Sequence, residues 1–515
     1  MSTQSIVKGT ALLAGAGLVA KVLGAGYRIF LARLIGNEGI GLYQMAYPIY
    51  LIFVSLSTAG VPIAISRIVA EKLAAGDQAG TRRVLRASFV LLLGLGLGSA
   101  LAMGSSARWL AGNVVVDSRA VYAMWALTPA IFFMSLMAVF RGYFQGWRQM
   151  TPSALSQIVE QAVRVSVALI LAILLLPKGV EHAAAGAAFG ATMGGLAGLI
   201  FLSWTFWRKR SGLRSRQRTD HTDSYRSIMK KLIRYTLPIS LAVILAPLLQ
   251  GIDSVIVPAR LQSIGYTTSQ ATTCLGMLGN AWAVANLPLI VTAALSTNMV
   301  PAISGLLAKR RLGEAGDRIH EGLRLAITYL VPAAVIVGVF GQNIYRILYG
   351  TPGVDILCWF APAIIFLGLE QVTAGTLQGL GKPNLPLLHF LIGAVVKVLV
   401  TVTTTAWPGL NLAGAALGTI AGATVTAGLN LGAIHKLTRA PLPLNLAIVV
   451  GGSLMGSGCW YLQRYLNWGY LPEFAAGVAV GGVVYLGSLW LLGGIRRQDI
   501  EMVTGLIGKK GAQTG

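Results

Sequence analysis

Leu56-Ser57-Thr58-Ala59-Gly60-Val61-Pro62 closes one apolar run of the chain, and Leu295-Ser296-Thr297-Asn298-Met299-Val300-Pro301 closes another, 239 residues later. Two further pairs follow in the same order. Phe144-Gln145-Gly146 returns as Leu377-Gln378-Gly379, 233 residues on, and Gly186-Ala187-Ala188-Phe189-Gly190 returns as Gly414-Ala415-Ala416-Leu417-Gly418, 228 residues on. The spacing falls smoothly, as one duplication followed by small loop deletions would leave it. Ordered matches at three places are hard to obtain from composition alone, so the chain reads as a doubled unit.

That unit belongs in a membrane. Of 515 residues 55% are apolar and only 11% charged, where a soluble protein carries about 25%, so a water-soluble enzyme of ordinary type is excluded. Sixty-three glycines suit closely packed membrane helices. A spanning helix needs about 20 apolar residues, and apolar windows predict fourteen. The first six lie near 10–34, 43–65, 87–107, 121–143, 154–176 and 184–207. The next six lie near 236–257, 280–303, 323–341, 355–377, 385–406 and 411–433, and two more near 444–463 and 471–493. The apolar run after Lys8 extends to about Leu34, too long for a cleaved signal, and reads as a retained first helix. The fold class is all-α and polytopic: an N-terminal six-helix lobe (1–207), a basic linker (208–235), a C-terminal six-helix lobe (236–435), helices 13 and 14 (436–493) and a tail (494–515). Six spans per repeat is even, so both halves share one membrane orientation, and parallel repeats of this kind are a transporter architecture.

Charge supplies the orientation. The net +24 comes from 41 Lys and Arg against 17 Asp and Glu, which in a soluble protein would suggest nucleic acid. Here roughly thirty cations fall in alternate loops that include 208–235, and only Arg108, Arg119, Lys178, Arg260, Arg346 and Arg464 fall in the others. Cytoplasmic loops collect Lys and Arg, so both termini are expected in the cytoplasm, and no nucleic-acid partner is expected. The three cysteines, Cys274, Cys358 and Cys459, have no metal-ligand spacing. Neither a phosphate-cradling loop nor a nucleophile elbow is present, so no catalytic residue, metal or cofactor is expected and the chain is read as no enzyme.

Ionisable residues at membrane depth are costly and mark function. In the first span Lys21 and Arg28 lie two turns apart on one face, with Gly24 between them. The fifth span gathers Ser156, Gln157, Glu160, Gln161 and Arg164 on one arc, and Glu160 and Arg164 have the i,i+4 spacing of a pair. The offset of 233 puts Arg164 on Lys397 of the eleventh span, with Gly393 at the place of Glu160. Glu160 is therefore expected to compensate Arg164, leaving Lys397 the more purely substrate-facing cation. Asp253, in the polar island Gln250–Ser254, and Glu370 complete the acids at depth, as compensating or ion-coupling groups.

Phe140-Arg141-Gly142-Tyr143-Phe144-Gln145-Gly146, then Met150-Thr151-Pro152 and Ser156-Gln157-Ile158-Val159-Glu160-Gln161, resemble the stage V sporulation protein B branch of the polysaccharide exporters. That branch lies in the multidrug/oligosaccharidyl-lipid/polysaccharide flippase superfamily. Asn286-Leu287-Pro288, Leu295-Ser296-Thr297 and Leu377-Gln378-Gly379-Leu380-Gly381-Lys382-Pro383 are similar to it too. The resemblance implies two six-helix lobes, a V-shaped central cavity, alternating access and two extra C-terminal helices. It also implies a polyprenyl-pyrophosphate-linked saccharide as substrate, for cell wall, spore cortex or capsule, in a bacterial cytoplasmic membrane. Lipid II flippases of the mouse virulence factor family are more distant. Their first-span Arg has a counterpart in Lys21, in the context Val22-Leu23-Gly24, whereas Leu42 and Ala283 stand near the places of their second-span acid and eighth-span Arg.

Three functions stand open at this point. The first is a flippase for a lipid-linked saccharide, with membrane lipid and cell-wall synthesis proteins as further partners. Its pyrophosphate would be met by Lys21, Arg28, Arg164 and Lys397, and Na+, H+ or the membrane potential would drive it. The second is a cation-coupled multidrug exporter of the same fold, which would favour acids where the first span here carries cations. The third is a non-transporting scaffold of a sporulation or wall-synthesis complex, indifferent to neutralising those four cations.

Overall fold

The computed structural model describes residues 3–58, 60–209, 224–351, 355–439, 441, 445–465 and 468–494; at 3–12, 14, 18, 21, 22, 25, 237–239, 241, 242, 245, 246 and 249 it describes the backbone alone. Among the described residues fourteen α-helices and no strands are found. They are α1 (Thr3–Thr58), α2 (Val61–Ala74), α3 (Gln78–Trp109, extended by a π turn), α4 (Ala120–Gly146), α5 (Met150–Leu175), α6 (Val180–Lys209) and α7 (Tyr225–Ser263). The rest are α8 (Thr268–Ala308), α9 (Leu312–Tyr349), α10 (Ile356–Gly379), α11 (Asn384–Thr405), α12 (Leu412–Thr438), α13 (Leu446–Tyr465) and α14 (Tyr470–Leu491). The linker residues 210–223 and the tail beyond 494 lie outside the described residues.

Helices and predicted spans do not correspond one to one. Each of α3 to α14 carries one span, the third to the fourteenth, and α1 holds the first two as two helices that meet at a kink. The chain bends at Gly36, whose φ of 68° and ψ of −179° lie where only glycine is at ease. The sequence reading breaks the chain near here and so does the structure, with the second helix clamped over its first turns, Asn37 accepting a hydrogen bond from Asn280 at 3.0 Å and Gly41 lying against the Thr272 backbone. By length and composition twelve described stretches can cross a membrane, which is not fourteen. The tally takes Gly26–Ala74 as one stretch and leaves out α7, where side chains are missing from the description. The short α2 packs Val61, Ala64, Ile65, Ile68 and Val69 inward.

The chain divides into two compact units, Met1–Asn280 and Ala281–Gly515. Within each, glycines seam one helix pair. A Cβ on Gly194 of α6 would fall 2.7 Å from the Glu160 carbonyl oxygen and 2.9 Å from the Arg164 Cβ of α5. In the second unit a Cβ on Gly422 of α12 would fall 2.7 Å from the Gly393 carbonyl oxygen and 2.8 Å from the Lys397 Cβ of α11. Glu160 with Gly393 and Arg164 with Lys397 are the positions the 233-residue offset equates, and Gly194 with Gly422 those the 228-residue offset equates. The same contact, built twice, is the duplication seen in atoms. Small residues let these backbones meet where side chains would hold them apart.

Candidate functional site

In the first unit α5 presents its polar arc to α4 and α1. Toward the start of the helix Glu160 accepts a hydrogen bond from the Arg141 guanidinium of α4 at 2.8 Å, and Arg141 Nε donates to Ser156 Oγ at 3.0 Å. On the flank, Gln157 and Gln161 lie against Gly17 and Gly24 of α1, the close approach for which Gly24 was expected. One turn beyond Glu160, Arg164 Nη2 donates to the Tyr43 hydroxyl at 3.1 Å, and its guanidinium carbon sits 5.3 Å from the Tyr47 ring centre. Tyr43 and Tyr47 stack at 5.3 Å, and Tyr50 follows at 5.7 Å, so the cation rests on a ladder of phenols along α1.

This corrects one expectation. Glu160 takes Arg141 rather than the i,i+4 neighbour Arg164. Its carboxylate is already matched, and the partners of Arg164 are phenols, which are neutral near pH 7. Two more donors adjoin. Arg28 Nη2 donates to the Gly279 carbonyl at 3.0 Å. The Tyr27 side chain is 8% exposed, and its hydroxyl has no hydrogen-bond partner among the described residues while lying in the fields of Arg164 and Arg28. The side chain of Lys21 lies outside the described residues; its backbone is on α1.

In the second unit Lys397 Nζ lies 5.6 Å from the Trp282 ring centre, and Trp282 packs edge-on against Phe360 at 4.9 Å. Counted with the first-pair spacing of 239, Trp282 is the counterpart of Tyr43. The pseudo-equivalent cations therefore rest on aromatic side chains, one of them pseudo-equivalent as well. The position equivalent to Glu160 is Gly393, and it is Glu370 of α10 that lies within the field of Lys397. Beside it the Gln371 side chain accepts from Thr292 Oγ1 at 2.9 Å. At the position equivalent to Ser156 the second unit has His389, joined to Asn430 at 2.8 Å and, through Asn430, to Thr373 at 3.1 Å. Asp253, 6% exposed on α7, belongs to the first unit, where the adjacent Ser254 donates to the Gln44 carbonyl at 3.0 Å.

The first unit thus brings Arg28 and Arg164 together with Tyr27, Tyr43 and Tyr47, and the second brings Lys397 to Glu370. The tyrosines and Trp282 were missed. Their signal was present: Tyr43, Tyr47 and Tyr50 are spaced i, i+4, i+7 on one helix face. Leu42 is fully buried in an apolar core cluster with Met45, Met103 and Met124. Among the described residues no three His, Cys, Asp or Glu side chains converge to hold a metal ion.

The family pattern described as "Polysaccharide biosynthesis protein" matches residues 6–307, and the one described as "MatE" matches residues 238–403. Stage V sporulation protein B of Bacillus subtilis (strain 168) is 29% identical over 98% of both chains. Lipid II flippase MurJ of the same organism is 25% identical over 96% of this chain and 97% of its own. Among solved structures, the inward-facing conformation of a multidrug resistance MATE family transporter of the MOP superfamily aligns with TM-score 0.68 at 16% identity, covering 82% of this chain and 96% of that one.

Proposed function

The chain belongs to the polysaccharide biosynthesis protein family, and from that premise we propose that it flips a polyprenyl-pyrophosphate-linked saccharide across a bacterial cytoplasmic membrane by alternating access. The observation that carries this reading is the donor set of the first unit. Arg164 and Arg28 bond to a phenol and a carbonyl, and Tyr27 holds out a buried hydroxyl. Such a set suits an anion at membrane depth, where an unbalanced charge is expensive and a diphosphate needs cations and O–H donors. Arginine meets phosphate oxygens through a planar fork, and lysine meets them as a point charge. Lys397 supplies the second unit's cation, with Glu370 to balance it when no anion is bound. Lys21 joins this set on α1. Asp253, Glu370 and the Arg141–Glu160 pair are assigned to charge balance, with Na+, H+ or the membrane potential as the drive.

The multidrug-exporter reading draws on the MatE match and on the aromatic lining of both cations. The sign of the charge weighs against it, because Arg164 and Lys397 repel cationic drugs. Depletion of the protein should leave a lipid-linked saccharide precursor on the cytoplasmic leaflet. Arg164→Gln, Lys397→Gln and Lys21→Ala, inserted at normal levels, should each slow its appearance outside by tenfold or more. Well-folded variants that flip the precursor at the normal rate would sink the anion-site mechanism.

A further inference from the structure

A cavity lies in the first unit, away from the Arg164 site: 690 Å³, formed by α3, α4, α6 and the first residue of α7. No residue of α5 lines it. Its floor is aromatic. Phe140 meets Phe89 at 6.4 Å and Phe206 at 5.8 Å, ring centre to ring centre. Its rim differs in character: Arg86, Trp207 and Tyr225 are all exposed there.

The rim is where the bilayer changes from hydrocarbon to headgroups. With its π turn α3 is 37 residues long, about 55 Å at 1.5 Å per residue, so it overshoots a hydrocarbon core of about 30 Å. Arg82, Arg83 and Arg86 occupy the overshooting first turns, and among the described residues none of the three pairs with a carboxylate. At the end of α6 Arg208 stacks on Trp204 at 4.7 Å, next to Trp207. Exposed tryptophan and tyrosine beside cations are the marks of a membrane interface, and a basic recess between transmembrane helices is the form that holds an anionic lipid headgroup.

We propose that this groove binds one anionic phospholipid, an acyl chain lying over Phe89, Phe140 and Phe206 and the headgroup phosphate at Arg86. The charge complementarity selects the occupant. Arg86 at the mouth calls for an anion, an apolar floor calls for a chain, and a single lining arginine matches one phosphodiester rather than a pyrophosphate. The site does not depend on what the protein transports.

The full-length protein in nanodiscs of phosphatidylcholine, titrated with phosphatidylglycerol of the same acyl chains and read by native mass spectrometry, tests this. The wild type should keep one phosphatidylglycerol through release from the disc. Arg86→Gln alters an exposed residue, so it should fold normally and hold that lipid about fivefold more weakly, the effect of one interfacial cation. Ser203→Trp, which fills the groove, should release it altogether while Arg86 stays in place. Retention equal to wild type in Arg86→Gln would overturn the proposal, as would equal retention of phosphatidylcholine. Competitive displacement by a polyprenyl pyrophosphate would hand the groove to the substrate and overturn it as well.

Discussion

Arg164 shows how far one residue can be read from sequence. Its depth, its place on a polar arc and its equivalence to Lys397 are all legible, because each follows from helical periodicity and the repeat. Its partner is not. Local spacing offers Glu160, but the preceding helix α4 packs back on α5 with Arg141 aimed at that carboxylate, and the contact between helices overrides i,i+4 preference. Two predictions follow from this arrangement. Tyr27→Phe removes a buried hydroxyl that has no partner, so thermal unfolding should be unchanged or slightly later. Translocation should still fall by about tenfold, the worth of one hydrogen bond to a charged group. A variant as active as wild type would remove Tyr27 from the site. Glu160→Gln, in contrast, leaves Arg141 charged and half-buried and should cost about 3–5 kcal/mol of stability. The paired change Arg141→Met with Glu160→Leu should recover most of that loss in a melting experiment, and failure to recover would mean the bracket does more than balance charge.

At the scale of elements, two glycines make opposite demands. Gly422 is fixed by space: a Cβ there meets the Gly393 backbone and Lys397, so Gly422→Val should force α11 and α12 apart and abolish assembly, visible as loss of the monodisperse peak. Gly36 is fixed by conformation: nothing lies within 4 Å of a Cβ there, but φ is 68°. Gly36→Ala should therefore lower stability by about 1–3 kcal/mol through backbone strain alone, with packing intact. The sequence shows the seam, because the glycine motifs of the sixth and twelfth spans are its repeat signature. It does not show that the break between the first two spans is a kink at the single residue Gly36, since Gly36-Asn37-Glu38-Gly39 reads as a loop until Asn280 and Thr272 are found against it.

For the whole molecule, composition settles the class before any residue is examined, and the family match and fold agree with it. Topology is the expectation to test. In a variant without Cys274, Cys358 and Cys459, a cysteine at Ser224 should react with impermeant reagent only from the cytoplasm, and one at Ser263 only from outside. These residues stand at opposite ends of α7, 39 residues long, so the reverse pattern would invert the entire molecule.

The glycine seam also bears on biosynthesis. α5 and α6 are joined by a short turn, as are α11 and α12, so each hairpin can close as soon as its second helix leaves the ribosome. An arginine or lysine at the centre of a lone helix resists insertion by about 2.5–3.5 kcal/mol. A helix that follows at once and seals against the neighbouring backbone shelters that cation before the rest of the protein exists. The positions that make the seam narrow would then set how efficiently the nascent chain enters the membrane, and a bulkier residue there would be felt first as lost insertion, ahead of any fault in transport.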